Sequence, residues 1–242
     1  MEPEIKAATN NLAIPGAIVI AGIIIAGGLF FGLSGRSSAP VAGANPSQPQ
    51  APAQAADVSK VKIAGEPFIG NQNAPVTMAE WYDYQCPFCK KHTEETMPQL
   101  IKEYVDTGKV KIVFKDFQFL GQDSQTLGQY SRAVWSTAPS KFYLWHKAVY
   151  DNSGTENTGW ATQGKILSIT KSVLSADETS KVVQLVKTNG TVYQKEMDAD
   201  KAEGGEFGIN GTPGFVIGKQ LVSGAQPYAA IKQVIDLTLA GK

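Results

Sequence analysis

Cysteine and histidine are scarce in this 242-residue chain, with two of each. A scaffold stapled by disulfides needs more pairs, spread along the chain to close long loops. A bridge between Cys86 and Cys89 would close too short a loop to stabilise much. The pair is therefore placed for reactivity or for metal. An excess of one charge is missing as well: 22 Lys and Arg face 22 Asp and Glu. The densest basic run is Lys90-Lys91, which reads as a solvated helix face. Without a basic patch the chain lacks the electrostatic footprint of a nucleic-acid binder, so no nucleic acid is expected among its partners.

Charge is absent altogether from residues 12–33, LAIPGAIVIAGIIIAGGLFFGL. At about 1.5 Å per residue this stretch reaches roughly 33 Å, enough to cross the apolar layer of a bilayer. It reads as one transmembrane anchor behind a short tail, residues 1–11. The rival reading is a cleavable signal peptide with Ala42-Gly43-Ala44 as its small-residue site, but that needs an apolar core of only about 7–15 residues. Lys6 on one side and Arg36 on the other leave the orientation undecided by charge. Residues 34–57 are rich in Ala, Pro, Ser and Gln without hydrophobic period, the composition of a disordered linker. Coil scaling gives such a tether a reach near 30 Å.

Residues 58–242 carry a globular pattern. Residues 75–82 (PVTMAEWY) read as a strand. Met97, Leu100, Ile101, Tyr104 and Val105 recur at helical spacing, with a kink expected at Pro98 and a stop at Gly108. Residues 109–117 (KVKIVFKDF) form the next strand, which makes a parallel, right-handed βαβ unit. Several helical stretches fill a helical insert over about residues 118–207. Residues 214–218 and 219–222 read as a hairpin and residues 229–239 as a last amphipathic helix. The pattern is α/β.

The chemistry sits at Cys86-Pro87-Phe88-Cys89, between a strand end and a helix start. Unpaired N–H groups and the positive end of a helix favour a thiolate at the first cysteine, and Pro87 suits the first helical position. Cys89, one turn on, is within reach of Cys86 but carried inward, so one sulfur exchanges and the other resolves. Two other readings stand beside this one. The cysteines are inert core residues, or Cys86, Cys89, His92 and His146 make a Cys2His2 zinc site. The histidines lack the close spacing of small zinc modules and read as ordinary helix-face residues. Covalent haem is excluded because Lys90 follows Cys89 where histidine is needed. Trp81, Tyr82, Tyr84 and Phe88 place aromatics around the cysteines, with Phe88 expected to be exposed.

Residues 67–89 (PFIGNQNAPVTMAEWYDYQCPFC) together with residues 210–218 (NGTPGFVIG) resemble the DsbA-like thiol–disulfide oxidoreductases of the thioredoxin superfamily, in their membrane-anchored branch. The resemblance covers residues 58–242. It implies a thioredoxin fold with an inserted helical domain, Cys86 as nucleophile, Cys89 as resolving cysteine, and Pro213 as a cis-proline facing them. It also implies that the backbone at Thr212 binds substrate like an added strand, that Thr212 tunes the cysteines, and that Pro87 and Phe88 border the substrate. Glu80, six residues before Cys86, corresponds to a buried carboxylate and is the candidate proton relay; Lys115 at the end of the second strand is a candidate tuning residue beside it. The simpler alternative has Glu80 facing water.

The expected activity is thiol–disulfide exchange in extracytoplasmic proteins, with no cofactor beyond the Cys86–Cys89 disulfide and no metal. Its partners would be cysteine-containing substrate proteins and a membrane redox partner that recycles the disulfide. Its place would be the cell membrane, single-pass, with the catalytic domain outside the cytoplasm, since a disulfide donor is useful only where thiols are not kept reduced. Pro87-Phe88 leaves direction open. The oxidant reading leads, and the alternatives are a membrane-held reductase or isomerase, or a metal-binding or chaperone module using the two cysteines as ligands.

Overall fold

The computed structural model describes residues 54–241; the anchor expected at residues 12–33, the tail before it and the linker up to residue 53 lie outside the described residues. Among these residues six strands form one mixed sheet: β1 (Gln54–Ala55), β2 (Phe68–Ile69), β3 (Val76–Tyr82), β4 (Val110–Asp116), β5 (Gly214–Ile217) and β6 (Gln220–Ser223), in spatial order β1-β6-β5-β3-β4-β2. Only β3 and β4 run parallel, with Glu80 opposite Phe114 and Trp81 opposite Lys115. Among the described residues no helix is long and apolar enough to cross a membrane.

The central strands β3 and β4 are buried almost throughout, their charged residues Glu80, Lys111, Lys115 and Asp116 included, as strands covered on both faces must be. Alternation along β3 sends Met78 and Tyr82 into the larger core and Ala79 and Trp81 into a smaller one on the other face. The ordered domain starts ahead of the expected boundary: Gln54 and Ala55 pair with Leu221 and Gln220. Asp57 then caps a short 3-10 turn, Val58–Lys60, by accepting from Ser59 N–H at 3.0 Å. Two-residue strands such as β1 and β2 carry no alternation to read, so neither was expected.

The crossover between β3 and β4 is one helical run: α1 (Pro87–Lys91), a π turn (His92–Thr96), α2 (Met97–Leu100) and a second π turn (Ile101–Val105). The expected break at Pro98 takes the form of a widened turn just before it, which accommodates a residue that has no N–H to donate. Gly108, at φ +73°, ends the run, while Lys109 N–H returns to Tyr104 O at 2.9 Å.

The insert is helical as expected: α3 (Gln122–Thr137), α4 (Phe142–Asp151), α5 (Gln163–Val173) and α6 (Ala176–Glu206). The 31-residue α6 opens on a capping box, Ser175 with Glu178. It runs close along α3, where a Cβ at Gly128 would meet Met197 at 2.5 Å. The β5–β6 hairpin turns at Gly218-Lys219, and α7 (Tyr228–Leu239) closes the chain by burying Ile231 and Ile235.

Candidate active site

The cysteines sit where β3 gives way to α1. Cys86 is the residue before the helix, with extended backbone (φ −72°, ψ 118°), and Pro87 is the first helical residue. Asp83 shapes the turn between strand and helix. Its Oδ1 accepts from Gln85 N–H (2.8 Å) and Ser124 Oγ (2.6 Å), and its Oδ2 accepts from the N–H groups of Phe119 (2.7 Å) and Leu120 (3.0 Å). Its carbonyl accepts from Cys86 N–H (3.1 Å) and from the Tyr150 hydroxyl (3.0 Å). One buried carboxylate and one tyrosine thus tie the cysteine turn to the helical insert. Sequence reading missed Asp83, although an Asp accepting from an N–H two residues on is a known turn former. Gln85, also missed, reaches the Leu120 carbonyl and accepts from Asn157 N–H at 2.9 Å.

Both cysteines are free thiols, and both are buried. Cys86 Sγ lies 3.2 Å from the Thr212 carbonyl, and the Thr212-Pro213 bond is cis. The bond expected to be cis is therefore cis, and the carbonyl that precedes Pro213 lies against Cys86. Hydrogen bonding from the Cys89 thiol lowers the Cys86 pKa to about 6 against the opposing effect of burial; the Thr212 side chain and the N–H groups of Cys89 and Phe88 add to the lowering. The expected cause was the helix start alone, yet the second cysteine matters most. Burial pushes the Cys89 thiol well above its ordinary range, and the neighbouring Cys86 sulfur pushes it further. Cys86 ionises while Cys89 keeps its proton. Pro87 and Phe88 stand exposed beside them, Phe88 at 61%.

Glu80 is buried at the centre of the sheet, between Phe114 of β4 and Phe215 of β5. Burial alone raises its pKa to about 8. The solvated-strand alternative is therefore wrong for Glu80. Lys115 does not lie beside it. Opposite Trp81 in register, Lys115 points to the other face of the sheet, where Glu66 (3.3 Å), Glu203 (3.1 Å) and Asp200 surround its ammonium. Trp81 also leaves the aromatic group: its indole N–H donates to Asp200 O at 2.9 Å on that same far face. Tyr82 and Tyr84 stay on the near face, in contact edge to face at 5.0 Å.

The histidines are not ordinary helix-face residues. His92 and His146 are both fully buried. His92 Nε2 is 3.9 Å from Glu80 Oε2, and His146 Nδ1 is 3.1 Å from the Tyr84 hydroxyl. Burial holds both near a pKa of about 3, so both are neutral; for His146 the nearness of His92 contributes as well. Among the described residues no three His, Cys, Asp or Glu side chains converge as metal ligands.

A thioredoxin-type sheet, an ionised cysteine and a protonated partner one turn along, facing a cis-proline, define a thiol–disulfide oxidoreductase. Comparison with known proteins agrees: the family model described as thioredoxin matches residues 62–237, and the chain belongs to that family. Disulfide bond formation protein D of Bacillus subtilis is 29% identical over 181 residues, 74% of this chain and 80% of its own length. The crystal structure of oxidised BdbD from Bacillus subtilis superposes with a TM-score of 0.68 at 27% identity, covering 74% of this chain and 96% of that one. Chlamydia trachomatis DsbA shares the fold, with a TM-score of 0.66 at 18% identity over 75% of this chain and 95% of its own.

Proposed function

We propose that this protein is a disulfide donor held at the outer face of a cell membrane, with Cys86 as the exchanging and Cys89 as the resolving cysteine. The observation that carries the direction is the unequal pair: Cys86 held near a pKa of about 6, Cys89 held protonated. A stabilised thiolate belongs to the reduced form only, so it favours reduction of the enzyme and makes its disulfide a stronger oxidant. A substrate thiolate attacks Cys86 Sγ of the disulfide, the Cys86–Cys89 bond breaks, and its electron pair leaves on Cys89, which takes up a proton. A second substrate thiolate then attacks the substrate sulfur of the mixed disulfide and expels Cys86 as thiolate. The substrate loses two electrons, the enzyme gains them, and a membrane redox partner removes them again.

Glu80 is the acid for Cys89 in this cycle. Thr212 and Pro213, beside Cys86, together with exposed Pro87 and Phe88, form the substrate-facing surface. The uncharged stretch at residues 12–33 and the polar linker after it support the membrane tether. The test is the reduction potential of the pair, equilibrated against glutathione. A value more positive than about −180 mV supports a donor; one near −270 mV, the thioredoxin value, makes the protein a reductase. Protease added to intact cells tests topology separately: cleavage of the domain is expected, and full protection contradicts an outer location.

A further inference from the structure

On the face of the sheet that carries the cysteines lie buried polar atoms left without a bonding partner. Glu80 Oε2, both ring nitrogens of His92 and Nε2 of His146 have no hydrogen-bond partner among the described residues. Such groups are costly to seal from water, so native folds retain few of them. These come from three separate elements: β3, the π turn after α1, and α4. His92 faces Glu80 across 3.9 Å, with its ring 4.7 Å from that of Phe215, the residue that pairs with Glu80 in the sheet. The flanking strands offer Glu80 only Phe114 and Phe215. The remaining ionisable groups whose environment senses Glu80 are Tyr84, Tyr143 and Tyr150, all held above their ordinary range and uncharged. Among the described residues His92 is thus the side chain whose N–H is placed to meet a charge on Glu80.

We propose that His92 is a positioning residue for the exchange reaction, its imidazole N–H holding the Glu80 carboxylate whenever Glu80 has given up its proton. The inference rests on Glu80 serving Cys89, as proposed above. In the resolving step a mixed disulfide links Cys86 to a thiol compound. The Cys89 thiol passes its proton to the Glu80 carboxylate, and the Cys89 thiolate attacks Cys86 Sγ. The Cys86–sulfur bond to the leaving thiol breaks, and that thiolate takes a proton from solvent. Glu80 ends protonated, and the mixed disulfide has been exchanged for the Cys86–Cys89 disulfide. In the opposite direction Glu80 returns the proton to Cys89 and becomes charged in a site without water-like solvation. The 3.9 Å gap is about 1 Å longer than a hydrogen bond. Small movement of the His92 ring closes it, and the charge is then met by a donor in a low-dielectric site, where such bonds are strong.

The test follows the resolving step alone. A mixed disulfide of Cys86 with thionitrobenzoate is prepared on the full chain, and release of the coloured thiol by Cys89 is timed across pH. In the parent the rate should rise with pH through an inflection near 8, where Glu80 gains its charged, proton-accepting form. H92F should move the inflection up by about one unit and slow release about tenfold at pH 7, with the two rates converging at high pH. H92Q, which keeps an N–H at similar reach, should restore the profile. E80Q should abolish the inflection, and H92F added to E80Q should change nothing further. An unshifted inflection in H92F overturns the role of His92 while leaving Glu80 intact. An inflection that survives E80Q overturns Glu80 itself. Further slowing by H92F on the E80Q background would mean that His92 acts through packing, which also overturns the proposal. The nearly isosteric H92Q carries the comparison if H92F folds poorly: identical slowing in H92Q and H92F counts against it.

Discussion

The two faces of the central sheet treat buried charge in opposite ways. On the far face Lys115 and Arg132 are surrounded by carboxylates: Arg132 Nε meets Asp116 at 2.7 Å and its NH2 meets Glu66 at 3.1 Å. Burial opposes both cations, but Asp116 and Asp200 hold Arg132 charged, and Asp200 and Glu66 do the same for Lys115. On the near face Glu80, His92 and His146 are equally buried and are left unmatched and neutral. Adjacent residues of one strand, Glu80 and Trp81, mark the division. A matched cluster fixes structure, here joining β4, α3, α6 and the segment around Glu66. In the unmatched one Glu80 titrates near pH 8 while both histidines stay neutral, as the proton role proposed for Glu80 requires.

The sharpest way to break this comparison is at the cysteines. Cys86→Ala should abolish exchange and trap almost no substrate, whereas Cys89→Ala should accumulate mixed disulfides, since nothing remains to resolve them; non-reducing gels of cell extracts read both. Trapping through Cys89 would invert the assignment. On the far face, Arg132→Met should leave Asp116, Asp200 and Glu66 facing one another and cost about 3–5 kcal/mol in a denaturant titration. The ionisation of Cys86 should not change, because the cluster lies across the sheet from it.

Glu80 should give the near face a distinctive pH signature. Its pKa stands at about 8 in the fold against 4.5 when unfolded. Between those values the folded protein holds a proton that the unfolded chain has released. Stability from this group is therefore full below pH 4.5, falls as pH rises, and levels off above about 8. Glu80→Gln should remove that slope and make the variant more stable than the parent at pH 9, by up to ~4 kcal/mol. His92 and His146 work the other way: kept near a pKa of about 3 against 6.5 unfolded, they cost stability as pH falls through that range. The smallest effect belongs to Phe88. At 61% exposure, Phe88→Ser should change stability by no more than about 0.5 kcal/mol. It should slow exchange with protein substrates severalfold and leave exchange with small thiols unchanged.

Much of this was legible in the sequence, and most of what was not depends on packing between elements. The strand–cysteine–helix unit and the hairpin followed from periodicity and turn residues, while the cis-proline followed only from family resemblance. Lys115 was misplaced because its face depends on the register between β3 and β4, which no local pattern encodes. Trp81 was avoidable: neighbours on a strand point to opposite faces, so it and Glu80 cannot both approach the cysteines. The histidines were misread because an isolated histidine on a helix carries no sign of what packs on it. His92 becomes a partner of Glu80 only when the helix is laid across the sheet.

Exchange through Cys86 turns on one inequality, and a pH titration of the reduced protein's thiols measures it directly. Alkylation with mass-spectrometric readout should show Cys86 reacting with a midpoint near pH 6, while Cys89 stays unlabelled to well above pH 9. Equal labelling of the two, or one transition near the ordinary cysteine value of about 8.5, would contradict it.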